Sequence, residues 1–227
     1  MSSKKGVSMK PELRSEKKEM PWFQRAVWIG ISIIAASVCL NVHAQDFSYG
    51  GLFVEPMVTF EVSHAKLNWP ITGSSSGSVR GLGIGARVGA HFGDTLWIAL
   101  DARYGRPNFD NTATSSVVSA DKYDFAPTVG VQMPVWGLRG WAGYVMAGSL
   151  DPASAKGFDV KFDGGAGYRI GIGMRVMMVS VNLEYQDLKY DHFTLQALGP
   201  VQTNGSFSGT TLDNQSWVLS ASVPVAL

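Results

Sequence analysis

Ten ionisable side chains recur at alternate positions within otherwise apolar segments. Five are acids (Glu55, Glu61, Asp101, Asp124, Glu184) and five are arginines (Arg87, Arg103, Arg139, Arg169, Arg175). Such a set could pair internally, line an ion path or supply acid–base groups. Pairing is what burial demands, because isolated buried charges are very costly. Hydrolysis would need a nucleophile beside a base. Beyond residue 44 the histidines are His64, His91 and His192, and His192 and Thr194 stand near Tyr190 and Asp191. No nucleophile elbow of the G-x-S-x-G kind is expected beside them, so no catalytic residue is assigned and the expected protein is not an enzyme. No metal or cofactor is expected, because the lone Cys39 cannot build a thiolate site.

These residues need a scaffold, and its first 44 residues read as a leader. Residues 26–40, AVWIGISIIAASVCL, follow Arg25 and a run of lysines and precede Asn41-Val42-His43-Ala44. A basic start, a short apolar middle and a small-residue end describe a secretory signal peptide cut between Ala44 and Gln45. Met20 would give a leader of ordinary length. Seven of the 19 Lys and Arg and three of the 18 Asp and Glu lie before Gln45, so the remainder carries about −3 rather than +1. That balance gives no case for nucleic-acid binding.

The mature part, residues 45–227, alternates with period 2, the signature of strands. In 81–92, Leu82, Ile84, Ala86, Val88, Ala90 and Phe92 share one face, and glycines, Arg87 and His91 share the other. Residues 165–176 repeat the pattern. Six further segments follow it, at 51–62, 96–104, 123–133, 138–148, 179–187 and 217–227. A tilted strand crosses a bilayer in about 9–11 residues, which these lengths fit. The connections 63–80, 105–122, 149–164 and 188–216 are long and polar, whereas 93–95, 134–137 and 177–178 are short. Short turns on one side, long loops on the other and an even strand number describe an outer-membrane barrel. Lys66, Lys122, Lys156, Lys161 and Lys189 are expected in loops or at strand ends. Phe60, Tyr104, Tyr123, Phe125, Tyr168, Tyr185 and Trp217 fall at one height on the apolar face, the level of an outer aromatic girdle.

The chain thus resembles the small eight-stranded outer-membrane barrels of Gram-negative bacteria, the OmpA/OmpX-type group and the outer membrane protein beta-barrel domain family. The resemblance rests on leader, strand number, loop alternation and terminal strand. It implies an all-β, eight-stranded antiparallel up-and-down transmembrane barrel in the bacterial outer membrane. Leu227 stands where such barrels end in an aromatic residue, and no peptidoglycan-binding domain is expected after it. The implied partners are outer-membrane lipid and lipopolysaccharide, and the barrel-assembly machinery during insertion. The expected state is a monomer.

An eight-stranded barrel is just wide enough for side chains to fill, so the ten charges are expected to plug the lumen, with inward glycines making room for the arginines. The expected role is structural, or surface interaction through the four long loops, whose Trp69, Phe109, Phe158, Phe162, Phe193 and Phe207 could meet a ligand. A narrow ion or small-solute channel and a lipid-modifying enzyme are the alternatives. Intact-mass analysis of the exported protein checks the leader: the chain should begin at Gln45, and retention of residues 26–40 would refute cleavage.

Overall fold

The computed structural model describes residues 51–70, 73–111, 116–133 and 136–227. The leader, Met20 and the Ala44–Gln45 junction lie outside the described residues. The described elements are strands: β1 (Gly51–Trp69), β2 (Gly73–Phe92), β3 (Leu96–Gly105), β4 (Asn108–Asn111), β5 (Ser116–Gln132), β6 (Leu138–Val145), β7 (Ala147–Pro152), β8 (Phe158–Asp163), β9 (Ala166–Val176), β10 (Val179–Tyr190), β11 (His192–Leu198), β12 (Val201–Phe207), β13 (Thr211–Ser222) and β14 (Val225–Ala226).

Antiparallel ladders join β1 to β2, β2 to β3, β3 to β5 and β5 to β6. They continue from β6 to β9, β9 to β10 and β10 to β13, and β13 returns to β1. Eight strands therefore close into an up-and-down barrel, and every turn-side connection is short. Closure has a physical cause. In lipid each backbone N–H and C=O must find a partner within the protein, which a sheet achieves only without edges.

The inside–outside alternation follows the sequence. Ile98, Leu100, Val129, Val131, Ile170 and Ile172 point outward and are exposed, while Asp101, Thr128 and Arg169 point inward and are buried. The strands, however, run well past the expected loop boundaries. β1 and β2 stay paired out to Trp69 and Gly73, β4, β8, β11 and β12 lie within segments read as loops, and β7 straddles the boundary at 148/149. The reason is a change of solvent along one strand. Above the membrane the outer face meets water, so the apolar residues move to the inner face. Ala65, Leu67, Val79, Phe109, Ala120, Leu150, Phe162, Phe193 and Leu212 form one buried cluster inside this extension. A pattern followed along the outward apolar face stops where that face leaves the lipid.

Two more expectations are corrected. Lys66 and Lys161 lie within strands, and Lys122 is buried within β5, whereas Lys189 stands at the end of β10 as expected. The last strand does not run unbroken to Leu227. Its ladder with β1 ends at Met57–Ser222, Val223 is buried, and pairing resumes at Val54–Val225. The gap lies opposite Pro56, which has no N–H to donate, and Val223 N–H donates to the Pro56 carbonyl at 3.1 Å. Pro127 likewise sits where the strand beside β5 is interrupted between β6 and β7. Each proline's missing donor coincides with a break in its neighbour.

Inward glycines make room for side chains, but at two positions for tryptophan rather than arginine. Trp97, Gly130, Trp141 and Gly171 are neighbours in successive ladders across β3, β5, β6 and β9. A Cβ on Gly130 would lie 2.2 Å from the Trp97 ring, and one on Gly171 would lie 2.3 Å from the Trp141 ring. By contrast, a Cβ on Gly140 would meet nothing closer than 3.8 Å. Overpacking a filled core typically costs about 1–3 kcal/mol. Gly171→Val should therefore lower the unfolding free energy in urea by an amount in that range, read as a lower midpoint of the folded, heat-modifiable gel form, whereas Gly140→Val should leave it nearly unchanged. Equal midpoints would refute the seating of Trp141 on Gly171.

Candidate functional site

Period 2 sets which side chains enter the lumen, and register sets which ones meet. Glu55 on β1 pairs in register with Arg87 on β2, and Arg87 pairs in turn with Asp101 on β3. The side chains follow the ladder. Arg87 donates to Glu55 at 3.4 Å and to Asp101 at 2.9 Å. Arg139 reaches across the lumen from β6 and grips Glu55 with both terminal nitrogens, each at 2.8 Å. The Ser222 hydroxyl donates to the same carboxylate. Glu55 and Asp101 are fully buried.

One step toward the loops, Arg103 bridges two acids. It donates to Asp101 through Nε and Nη2, each at 2.9 Å, and to Glu184 through Nη1 at 2.7 Å. Arg169 donates to Asp124 and makes a charge contact of 3.4 Å with Asp101. Glu184 also accepts from Gln186 at 3.0 Å and from the Trp141 indole at 2.8 Å. Trp141, Gly171 and Glu184 are consecutive register neighbours, so the indole lies over the glycine and reaches the carboxylate beyond it. Arg87 and Arg139 each stack on both Trp97 and Trp141, with guanidinium-to-ring distances of 5.0–5.5 Å. Cation–π contact of this kind gains strength when desolvated.

The next tier is a separate pair. Lys122 donates to both oxygens of Glu61, at 2.6 and 2.7 Å, below the buried Tyr190 ring. Beside Arg103 and Lys122 lies a cavity of about 20 Å³, room for about one water. Nine of the ten charges named from the sequence are thus brought together or placed one tier away. Arg175 lies one tier toward the turns, still within reach of the charges of Arg139 and Glu55. It is half-buried at the turn end, and its Nε donates to the Met177 carbonyl at 3.1 Å. Lys122 is a further inward cation beyond the ten. Reading residues 123–133 two positions further back, from Asp124 to Lys122, exposes that lysine; two positions forward from Glu184, on a strand running the other way, stands Gln186.

The seven aromatics named for the outer girdle all lie on outward positions. Tyr104 is opposite Tyr123, and Tyr185 is opposite Trp217, with ring centroids 5.3 Å apart. Tyr168 and Tyr185 are 6.5 Å apart, Phe125 is exposed, and Phe60 carries Arg80 over its ring at 5.6 Å. Of the loop aromatics, Phe109, Phe162 and Phe193 are buried inside the extension, while Trp69, Phe158 and Phe207 are partly exposed.

No hydrolytic set forms at the positions considered from the sequence. His192 Nδ1 lies 2.6 Å from Asp191 Oδ1, with both side chains exposed. The run Gly73-Ser74-Ser75-Ser76-Gly77 has the letters of a nucleophile elbow, but it lies in strand β2 and not at a strand-to-helix turn. Among the described residues no cluster of three or more metal-ligating side chains occurs.

A solved structure agrees with this architecture. The solid-state NMR structure of the outer membrane protein AlkL in lipid bilayers superposes with a TM-score of 0.51 at 16% identity, covering 82% of this chain and 95% of that one. This likeness is one of fold alone. The crystal structure of OprG from Pseudomonas aeruginosa matches with a TM-score of 0.48 at 11% identity, over 79% of this chain and 98% of that one. None of the curated proteins matches the sequence. The outer membrane protein beta-barrel domain family matches residues 32–223. With that match and the closed eight-stranded ring, the chain belongs to the outer membrane protein beta-barrel domain family and is a protein of the bacterial outer membrane.

Proposed function

We propose that this barrel is closed to ions along its axis, is not an enzyme, and acts at the cell surface through its extracellular extension. The observation that carries this reading is the charge-paired plug. Each of its four arginines touches a carboxylate from another strand, and Glu55, Asp101 and Glu184 each meet two or more cations. An ion moving down the lumen would have to separate pairs that bury each other's charge. The exposed Asp191–His192 pair, with no serine nucleophile assembled on it among the described contacts, fits a non-catalytic surface. The seven outward aromatics form the upper membrane girdle on this reading, and lipid and lipopolysaccharide contact the apolar belt. The barrel-assembly machinery inserts the chain, which works as a monomer.

Planar-bilayer recording of the purified protein tests the closure. No steady conductance is expected, and a large persistent open state would overturn the reading. A second measurement isolates the plug. Removing one partner of a buried ion pair costs about 3–5 kcal/mol, because the other charge is left buried alone. Asp101→Asn removes the carboxylate that Arg87, Arg103 and Arg169 share and leaves three buried guanidinium groups each one acid short, so it should lower unfolding stability by about that amount in urea. Asp191→Asn at the exposed rim should change stability little. Equal effects would remove the plug as the organising feature.

A further inference from the structure

The lumen changes character along its axis. Above the Lys122–Glu61 pair the charged tiers end, and the inward positions of the extension become apolar. There the strands enclose a cavity of about 290 Å³ lined mainly by aromatic and aliphatic side chains, among them Phe109, Phe162, Phe193, Leu67, Val118 and Leu195. Two serines, Ser75 and Ser116, supply its side-chain hydroxyls, and no charged side chain is among its described lining residues. Phe109 and Phe162 stand 6.4 Å apart, Phe162 and Phe193 5.4 Å, and Phe193 and Phe207 5.9 Å, a wall of tilted rings.

We propose that this chamber is a binding site for a small uncharged molecule of hydrocarbon character, taken up from the outside. The rings support this in two ways. Side chains that served only as a core would close onto one another, since every gap forfeits contacts of its lining atoms; these rings instead hold a space open. The lining also fixes the ligand class. A charged or strongly polar ligand would lose its hydration and gain almost no partner, whereas an apolar cavity of about 150 Å³ suffices for benzene. This chamber is about twice that, which suits a molecule of one or two rings.

The source is the external phase rather than the bilayer. Ladders from β1 through β2, β4, β5 and β7 wall one side of the extension, and β8, β11 and β12 wall the other. The floor is the Lys122–Glu61 pair and the plug beneath it. The chamber is therefore a dead end that captures rather than conducts. The inference deepens the surface role proposed above and rests on it for that dead end alone.

The test uses the protein purified from outer membranes, methyl-labelled and placed in lipid nanodiscs, with toluene as probe. The methyl signals of Leu67, Val118, Val160 and Leu195 should shift and saturate. Those of the lipid-facing Ile98, Leu100 and Val129 should drift in proportion to added toluene. Val160→Trp, which fills the chamber, should weaken the saturable response at least tenfold while heat-modifiable gel migration shows the barrel still folded. Proportional shifts at every methyl in the wild-type protein would overturn the proposal without reliance on any variant. Nuclear Overhauser contacts from the chamber methyls to lipid acyl chains would overturn it by naming the membrane as the source. Either failure is distinct from a conducting lumen, which would overturn the closed barrel instead.

Discussion

Backbone hydrogen bonding in lipid is the constraint on which everything else depends. A strand in hydrocarbon cannot leave its N–H and C=O groups unpaired, so the sheet must close. Closure divides every strand into an outer and an inner row. The outer row meets lipid and is apolar. The inner row faces a narrow lumen and must fill it without leaving charge unpaired. The two prolines show how strictly the account is kept, since each lies where the adjoining strand is broken and has no ladder donor to request.

The lumen answers the second demand with a network rather than with isolated pairs. Asp101 touches three arginines, and Arg103 joins Asp101 to Glu184. Tryptophans complete the packing. Trp97 and Trp141 flatten over glycines and offer their faces to Arg87 and Arg139. The glycines are thus determined by the rings beside them. The inner row then turns apolar where the outer row becomes wet, and the extension encloses its own hydrophobic cluster.

Much of this was legible in residue order. Parity alone placed Glu55, Arg87, Asp101, Arg103, Asp124, Arg139, Arg169 and Glu184 inside, because a period of two leaves no freedom once one face is assigned. What parity could not supply was partner choice. Arg103 lies opposite Asp124 in the ladder yet bonds Asp101 and Glu184, while Arg169 comes from β9 to take Asp124. Long side chains reach across strands, and sequence spacing carries no trace of that reach. Strand length was also hidden. The upper halves read as polar loops because residues such as His64, Lys66, Asn68, Ser74, Ser76 and Ser78 occupy their outer face, and their inward Phe109, Phe162 and Phe193 appear as scattered aromatics until register aligns them. Arg175 sits near the strand end, beside the Met177–Met178 turn, and its Nε turns to the Met177 carbonyl.

The closing ladder has a consequence in time. β1 and β13 stand at opposite ends of the described residues, yet they share twelve register positions from Met57–Ser222 to Asn68–Thr211. Glu55, near the beginning of the first strand, receives hydrogen bonds from Arg139 in the middle of the chain and from Ser222 near its end. The first buried carboxylate is therefore fully partnered only after the last strand has arrived. Until then the chain holds both an unpaired edge and an uncompensated interior, and neither defect can be repaired without the other. Maturation should accordingly be concerted and late, with the chain kept from aggregating until its end is delivered.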